Sequence, residues 1–154
     1  MELEFNELKE EFIDALNKTK TLVLATCSDN IVTARPMSII NVGTDIYFQT
    51  SKIFTKYKQI MNNKNVALCF SNISIEGIAE DIGSWSKKIN NELLKIYLEQ
   101  HKNSFDRYGS LKNQVVIKVS SVKVTFWKYI DDKPYRDYLY ILDEKAERHE
   151  YIDE

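Results

Sequence analysis

The chain has 154 residues, of which 44% are hydrophobic, and a formal net charge of -2. This length is most simply one domain whose core needs neither disulfides nor a metal, and the charge gives no indication of a nucleic-acid partner. No apolar run approaches the roughly 20 residues of a membrane span, and no signal peptide is recognisable, so we expect a cytoplasmic protein of bacterial composition.

The first part of the chain predicts a helix followed by a β-hairpin. Apolar residues recur at helical spacing over residues 3–18, which predicts an amphipathic helix. Residues 21–27 predict a strand, and the polar turn after them leads into a second strand at residues 31–42. Because proline cannot donate to a sheet, Pro36 predicts a bulge or one unpaired side, with nearby backbone groups open to a ligand.

The middle of the chain predicts a strand that leads into a short helix. Residues 46–50 form the strand, and residues 53–61 form the helix, with Ser51 or Thr50 as its N-cap. Further strands are predicted at residues 66–70, 73–82, 114–128 and 135–142.

The remaining segments complete the predicted architecture. Residues 86–100 predict another helix, and the acidic residues 143–154 predict a solvated or loosely packed tail. Closely spaced strands with helices between them favour one domain over residues 1–142. The predicted fold class is mainly β with α, a six- to seven-stranded antiparallel barrel with peripheral helices.

Cations and hydroxyls gather where the strand at residues 46–50 becomes a helix. Arg35 can reach this place from the neighbouring strand, and Lys56 lies in the first helical turn with Thr55 before it. A phosphate is costly to desolvate unless it is paired, and Arg, Lys and helix N-terminal N–H groups are its usual partners. The alternative is that Arg35, Lys56 and their lysine neighbours are ordinary solvated cations.

Metal binding and thiol chemistry are not favoured by the sequence. Cys27 and Cys69 lie in predicted strands, and neither has a second cysteine at metal or redox spacing. The two histidines, His101 and His149, are distant in sequence from both. We therefore expect no metal site, and no residue of the sequence is recognisable as a catalytic proton donor.

Residues 22–80 resemble the pyridoxamine 5'-phosphate oxidase-like flavoproteins, which have an FMN-binding split β-barrel. The order and spacing of the motifs carry the resemblance, which is nearest to the general-stress-protein and nitroimidazole-reductase branches. The motifs are Ala25-Thr26, Ala34-Arg35-Pro36-Met37, Ile46-Tyr47-Phe48-Gln49-Thr50-Ser51, Lys56, Asn62-Asn63, residues 66–70 and residues 75–80.

The resemblance implies a set of FMN contacts. Arg35 and Lys56 match the residues that bind the FMN phosphate, and Thr55 matches a polar phosphate ligand. Gln49 and Thr50, followed by Ser51, match the strand end along the ribityl chain. The strand with Pro36, Met37, Ser38 and Ile39 matches the one whose backbone meets the isoalloxazine ring. Trp127 matches an aromatic residue that reaches the flavin from a second subunit, which implies a homodimer with the cofactor at its interface.

The resemblance also suggests an activity. It implies an FMN-dependent oxidoreductase that uses NAD(P)H to reduce a small electrophile such as a nitro compound or quinone. The substrate-phosphate residues of the true oxidase are not matched, since the corresponding stretch offers only Lys133 and Arg136. The alternatives are a binding module that holds flavin or heme without turnover, and a barrel that uses FAD or a deazaflavin.

Overall fold

The structure is a computed structural model that describes residues 1–152. These residues form ten β-strands and three α-helices. The helices are α1 (Phe5–Asn17), α2 (Thr55–Asn62) and α3 (Asn91–Ser104). The strands are β1 (Glu2–Leu3), β2 (Thr21–Ser28), β3 (Ile31–Ser38), β4 (Ile40–Val42), β5 (Asp45–Ser51), β6 (Asn65–Phe70), β7 (Ile73–Asp81), β8 (Gln114–Ile130), β9 (Lys133–Tyr140) and β10 (Lys145–Glu150).

The strands form one sheet in which every pair is antiparallel. Its order is β1-β10-β9-β8-β7-β6-β2-β3, and β5 pairs with both β8 and β4. The 17-residue strand β8 joins the two parts, because its first half pairs with β5 and its second half with β9. The sheet does not close, so the predicted class, an antiparallel split barrel with peripheral helices, is confirmed.

Three strands are additional to the predicted set. The stretch predicted as one strand at residues 31–42 is divided at Ile39, whose N–H donates to Lys20 O at 2.9 Å. The other two are β1 and β10, which pair with each other. Because Glu2 and Leu3 belong to β1, the first helix begins at Phe5 and not at residue 3.

The prediction of a loose tail at residues 143–154 was wrong for β10. Residues 145–150 pair along their whole length with β9, and Ala146 is buried. Arg148 also donates two hydrogen bonds to the buried carboxylate of Asp137, at 2.7 and 2.8 Å. Only residues 153 and 154 of the predicted tail lie outside the described residues.

The main core fills the barrel and is closed at one end by α1. Leu8, Phe12 and Leu16 recur every four residues on α1, and all three are buried, as the predicted amphipathic helix requires. The Phe12 ring meets the Phe126 ring of β8 edge-on, with centroids 6.4 Å apart.

A second apolar cluster lies between α3 and the opposite face of β5. Trp85, Tyr97 and Val116 are buried there against Tyr47. The predicted helix at residues 86–100 begins later than expected, at Asn91, after a 3₁₀ turn at Lys88–Asn90. No helix of residues 1–152 is long and apolar enough to cross a membrane.

Candidate functional site

Arg35 lies on β3, which is the last strand in the order of the sheet. It is paired with Leu24 of β2, and its side chain points to the same inner face. One guanidinium nitrogen donates to Thr26 Oγ1 at 2.9 Å and to Leu24 O at 3.3 Å, and the other donates to Thr33 Oγ1. The side chain is half-buried, and this burial lowers the pKa of Arg35. These hydrogen bonds therefore hold the cation in one position.

Gln59 of α2 anchors the same hydroxyl groups from the other side. Its Oε1 accepts hydrogen bonds from Thr26 and Thr33, each at 2.6 Å, and its Nε2 donates to Ile31 O at 3.0 Å. Each threonine hydroxyl thus accepts from Arg35 and donates to Gln59, so every polar group is used in the correct sense. This network fixes α2 against the β2–β3 hairpin.

Lys56 brings a second cation to Arg35 from the first turn of α2. Burial lowers the pKa of Lys56, and the positive charge of Arg35 lowers it further. Its Nζ also lies 4.8 Å from the centroid of the Phe54 ring. Within residues 1–152, neither cation has a carboxylate within 4.0 Å. Two partly desolvated cations side by side are an arrangement that an anion would stabilise.

The N-terminus of α2 adds backbone donors at this place. The helix begins at Thr55, and its N-cap residue, Phe54, makes no side-chain capping hydrogen bond. The predicted N-cap at Ser51 or Thr50 was therefore wrong; Ser51 Oγ accepts only from Ile53 N, at 3.4 Å. First-turn N–H groups have no intrahelical acceptor, so they are available together with the exposed Thr55 hydroxyl.

Thr50 leaves a buried hydroxyl at the end of β5. The residue is 3% exposed, and its Oγ1 is the one buried side-chain polar atom of residues 1–152 without a hydrogen-bond partner. Buried polar atoms are normally paired, so an orphan of this kind requires an explanation such as a ligand or water. Near Arg35 and Lys56, two cations, the first-turn N–H groups of α2 and the Thr55 hydroxyl are donors that a phosphate monoester can accept from, so the residues present fit that group.

Gln49 is not one of the candidate phosphate ligands, although it is next to Thr50 in the sequence. Its side chain points to the second cluster, where Oε1 accepts from Trp85 Nε1 at 3.0 Å and Nε2 donates to Ser104 O at 3.2 Å. Successive strand residues alternate between faces, so Gln49 and Thr50 necessarily point in opposite directions.

The rest of β3 is only partly open to a ligand. Pro36 is exposed, and β3 pairs with β2 alone in residues 1–152, as the proline predicted. Met37 and Ser38 are partly buried, and Met37 packs against the main core. Ile39 is fully buried, and both of its backbone polar groups already have partners in the chain.

His101 supplies one of those partners, which the sequence did not reveal. Its Nε2–H donates to Ile39 O at 2.7 Å, and this bond assigns the tautomer because a carbonyl can only accept. The ring lies 5.1 Å from the Tyr97 ring, and the backbone at His101 leaves helical geometry (φ -136°, ψ 41°). Only the positions of two distant segments bring His101 to Ile39, between β3 and β4, so no local pattern could have indicated the contact.

Trp127 lies far from Arg35 in the sheet order, four strands away on β8. It is 52% exposed, and the Arg136 guanidinium stacks on its ring at 3.5 Å from the centroid. The single chain thus brings Arg35 and Lys56 together and leaves Trp127 facing solvent.

Comparison with known families identifies the barrel. The family model for pyridoxamine 5'-phosphate oxidase matches residues 8–128, which is most of the chain. The chain belongs to this family. A search of curated proteins found no match to the sequence.

Several solved structures share the fold of this pyridoxamine 5'-phosphate oxidase family member. General stress protein 26 from Bacillus anthracis is 23% identical, with TM-score 0.66, over 88% of this chain and 99% of its own. A FAD-binding protein from Mesorhizobium loti is 13% identical, with TM-score 0.58, over 75% and 90%. The heme storage protein HutZ from Vibrio cholerae is 12% identical, with TM-score 0.61, over 77% and 91%. Likeness at this identity establishes the fold alone.

Proposed function

We propose that this family member binds FMN through Arg35 and Lys56 and acts as an FMN-dependent oxidoreductase. The observation that carries the proposal is the pair of half-buried cations with no carboxylate beside them in residues 1–152. A terminal phosphomonoester is close to dianionic at neutral pH, so it would balance both charges. When bound, the flavin would supply hydride and single-electron transfer, and the protein would supply position and electrostatics.

FMN is favoured over the other cofactors by the chemistry of the site. The phosphate of FMN ends the molecule and can enter a compact cationic pocket, whereas the phosphates of FAD are internal. A histidine-ligated heme is less well supported, because both histidine Nε2 atoms already have partners, Ile39 O for His101 and Glu147 Oε2 for His149. The fold also occurs in a FAD-binding protein and in a heme storage protein. FAD and heme are therefore alternative cofactors that a spectrum of the protein distinguishes from FMN.

We further propose that the protein is a homodimer with the cofactor at the interface. The outer face of β2, β3, β6 and β7 supports a dimer, because Val23, Val32 and Ile78 are exposed there around an apolar groove of about 480 Å³. Apolar patches of this kind on a sheet face mark interaction surfaces. Analytical ultracentrifugation of the wild type and of Val32→Lys tests it; a monomeric wild type would contradict the proposal.

The decisive experiment on function is spectroscopic. The purified protein, saturated with FMN, should show a flavin spectrum, and NADH or NADPH should bleach it in the absence of oxygen. A nitroaromatic or a quinone should then restore the colour. Failure to take up FMN would contradict the cofactor assignment. If the protein binds FMN but neither NADH nor NADPH reduces it, the protein is a flavin-binding module. That result would contradict the proposed oxidoreductase activity.

A further inference from the structure

A polar cavity of about 510 Å³ lies between the end of β7, the loop that follows it and the start of β8. Lys52, Lys87 and Lys112 line it, and together they bring three positive charges from three separate segments of the chain. The cavity is separate from the Arg35 site, because neither Arg35 nor Lys56 lines it.

The single carboxylate that lines the cavity, Asp81, is already engaged. Its Oδ1 accepts from Gly83 N–H at 2.8 Å, and its Oδ2 accepts from Tyr57 Oη at 2.8 Å. Within residues 1–152, none of the three lysines forms an ion pair with Asp81 or with any other carboxylate. The cavity therefore carries an excess of positive charge.

Gln114 adds a neutral hydrogen-bond donor to the lining of the cavity. The residue lines the cavity and is only 7% exposed. Its backbone N–H donates to Leu111 O at 3.1 Å. Its side-chain amide is not a fully buried atom group without a partner, since Thr50 Oγ1 is the one such atom of residues 1–152. Because Gln114 lines the cavity, its NH₂ group is a donor from which an anion oxygen in the cavity can accept.

Gly83 shapes the wall on which one of the lysines lies. Its φ of +90° is in the region that favours glycine, and a Cβ there would come within 2.5 to 2.7 Å of Cδ, Cε and Nζ of Lys87. The absence of a side chain thus lets Lys87 lie directly across the loop. Asn90 fixes the same loop, since its Nδ2 donates to Ser84 O at 2.8 Å and to Ile82 O at 3.2 Å.

We propose that this cavity is a second anion site that binds the phosphate group of a small molecule. A phosphate presents several oxygens, so it can accept from more than one ammonium group and from the Gln114 amide at the same time. The volume leaves room for more than an isolated phosphate, so a nucleotide phosphate and free phosphate share the chemistry that the site recognises. The inference does not depend on the proposed flavin chemistry.

The test is a ¹H–¹⁵N NMR titration of the full chain with inorganic phosphate. The backbone amide of Gly83 and the side-chain NH₂ of Gln114 should shift in a saturable manner, and chloride at equal ionic strength should not produce the shift. Lys87→Gln and Lys112→Gln should each weaken this binding about tenfold. Lys88→Gln is the matched control, because it removes the same charge from the adjacent residue, which does not line the cavity; it should leave the affinity unchanged.

Several outcomes would overturn the proposal. They are an absence of saturable shifts, equal shifts with chloride, and undiminished binding in both Lys87→Gln and Lys112→Gln. Arg35→Gln should leave the Gly83 and Gln114 shifts intact, which separates this site from the FMN phosphate site; loss of the shifts in that variant would contradict a second site. A parallel titration with 2',5'-ADP identifies the source, since tighter binding than phosphate indicates a nucleotide and equal binding indicates free phosphate.

Discussion

Lys56 lies close enough to Arg35 for the guanidinium to lower the pKa of its ammonium group. If both cations bind the FMN phosphate, Arg35→Gln and Lys56→Gln should each lose about 1.5–3 kcal/mol of FMN affinity, the range for hydrogen bonds to charged groups. Quenching of FMN fluorescence during titration measures this loss.

Lys58→Gln is the control for these variants, because Lys58 is an exposed lysine on the same helix. Its FMN affinity should match that of the wild type. The cofactor-free Lys56→Gln protein should be at least as stable as the wild type in urea, since it loses a repulsive pair. Unchanged FMN affinity in both the Arg35 and Lys56 variants would show that these residues do not hold the phosphate.

The pH dependence of FMN binding follows from the lowered pKa of Lys56. Burial, followed by the charge of Arg35, lowers that pKa, so Lys56 loses its proton at a lower pH than an ordinary lysine does. A bound phosphate favours the protonated form and raises the pKa again. FMN affinity should therefore fall as the pH rises from about 7 towards the ordinary lysine value of about 10.4, and the fall should be smaller in Lys56→Met. The same fall in both proteins would assign the titration to another group.

Gln59→Leu should destabilise the protein without removing a charge. The substitution leaves the hydroxyl groups of Thr26 and Thr33 without their shared acceptor in a buried place. The expected loss is about 1–3 kcal/mol in the free energy of unfolding, measured by urea denaturation with an unchanged m-value. A variant as stable as the wild type would mean that the network contributes nothing to the attachment of α2.

Asp137 should control stability at acid pH. Burial disfavours its charge, but hydrogen bonds from Arg148 and Lys128 outweigh burial and hold the pKa of Asp137 below its ordinary value. A lowered folded-state pKa stabilises the protein above the unfolded value, near pH 3.9, and this contribution is lost as the pH falls through the folded value.

Asp137→Asn should therefore lose about 3 kcal/mol at neutral pH, since it leaves two cations without their buried partner. Its urea denaturation midpoint should also depend less on pH below about 4. If the urea denaturation midpoint of Asp137→Asn changes with acid pH as much as that of the wild type does, other carboxylates cause the dependence.

Trp127→Leu tests the proposed contact across a dimer. The stacking of Trp127 on Arg136 is exposed, so its loss should change the free energy of unfolding by no more than about 1 kcal/mol. FMN affinity should nevertheless fall if the partner subunit's flavin rests against this ring. Tyr129→Leu is the matched control, because Tyr129 is a 76% exposed aromatic residue two positions further along β8. Equal FMN affinity in all three proteins would exclude the contact.

The sequence was most informative where the structure is local. The β2–β3 hairpin was predicted from its polar turn, and Asp29 and Asn30 both adopt positive φ values there, 51° and 63°, which suits a tight turn between strands. This turn sets the register that places Arg35 opposite Leu24. The approach of Lys56 to Arg35 was expected from a different arrangement, in which the Arg35 strand lies beside residues 46–50. In the structure β3 pairs with β2 alone, and α2 reaches Arg35 because Gln59 attaches it to the β2–β3 hairpin.

Contacts between distant segments were not predictable in this way. In the sequence, Gln59 cannot be distinguished from any other polar helix residue. Only the fold shows that it accepts hydrogen bonds from Thr26 and Thr33. Strand β10 has few apolar residues. It is held by its pairing with β9 and by the ion pair between its Arg148 and the buried Asp137. Its alternation was too weak to predict a strand from the sequence.

The pairing of β8 has a consequence for the order of folding. Strand β5, which leads to the N-terminus of α2, has only the three-residue strand β4 beside it until residues 114–120 are available. During synthesis, the first 113 residues therefore include the two cations but lack the strand that holds β5 in place. Pairing of such separated segments is slow, so the proposed cofactor site should mature late, and the uncovered edge of β5 should be a place where the nascent chain is prone to aggregation.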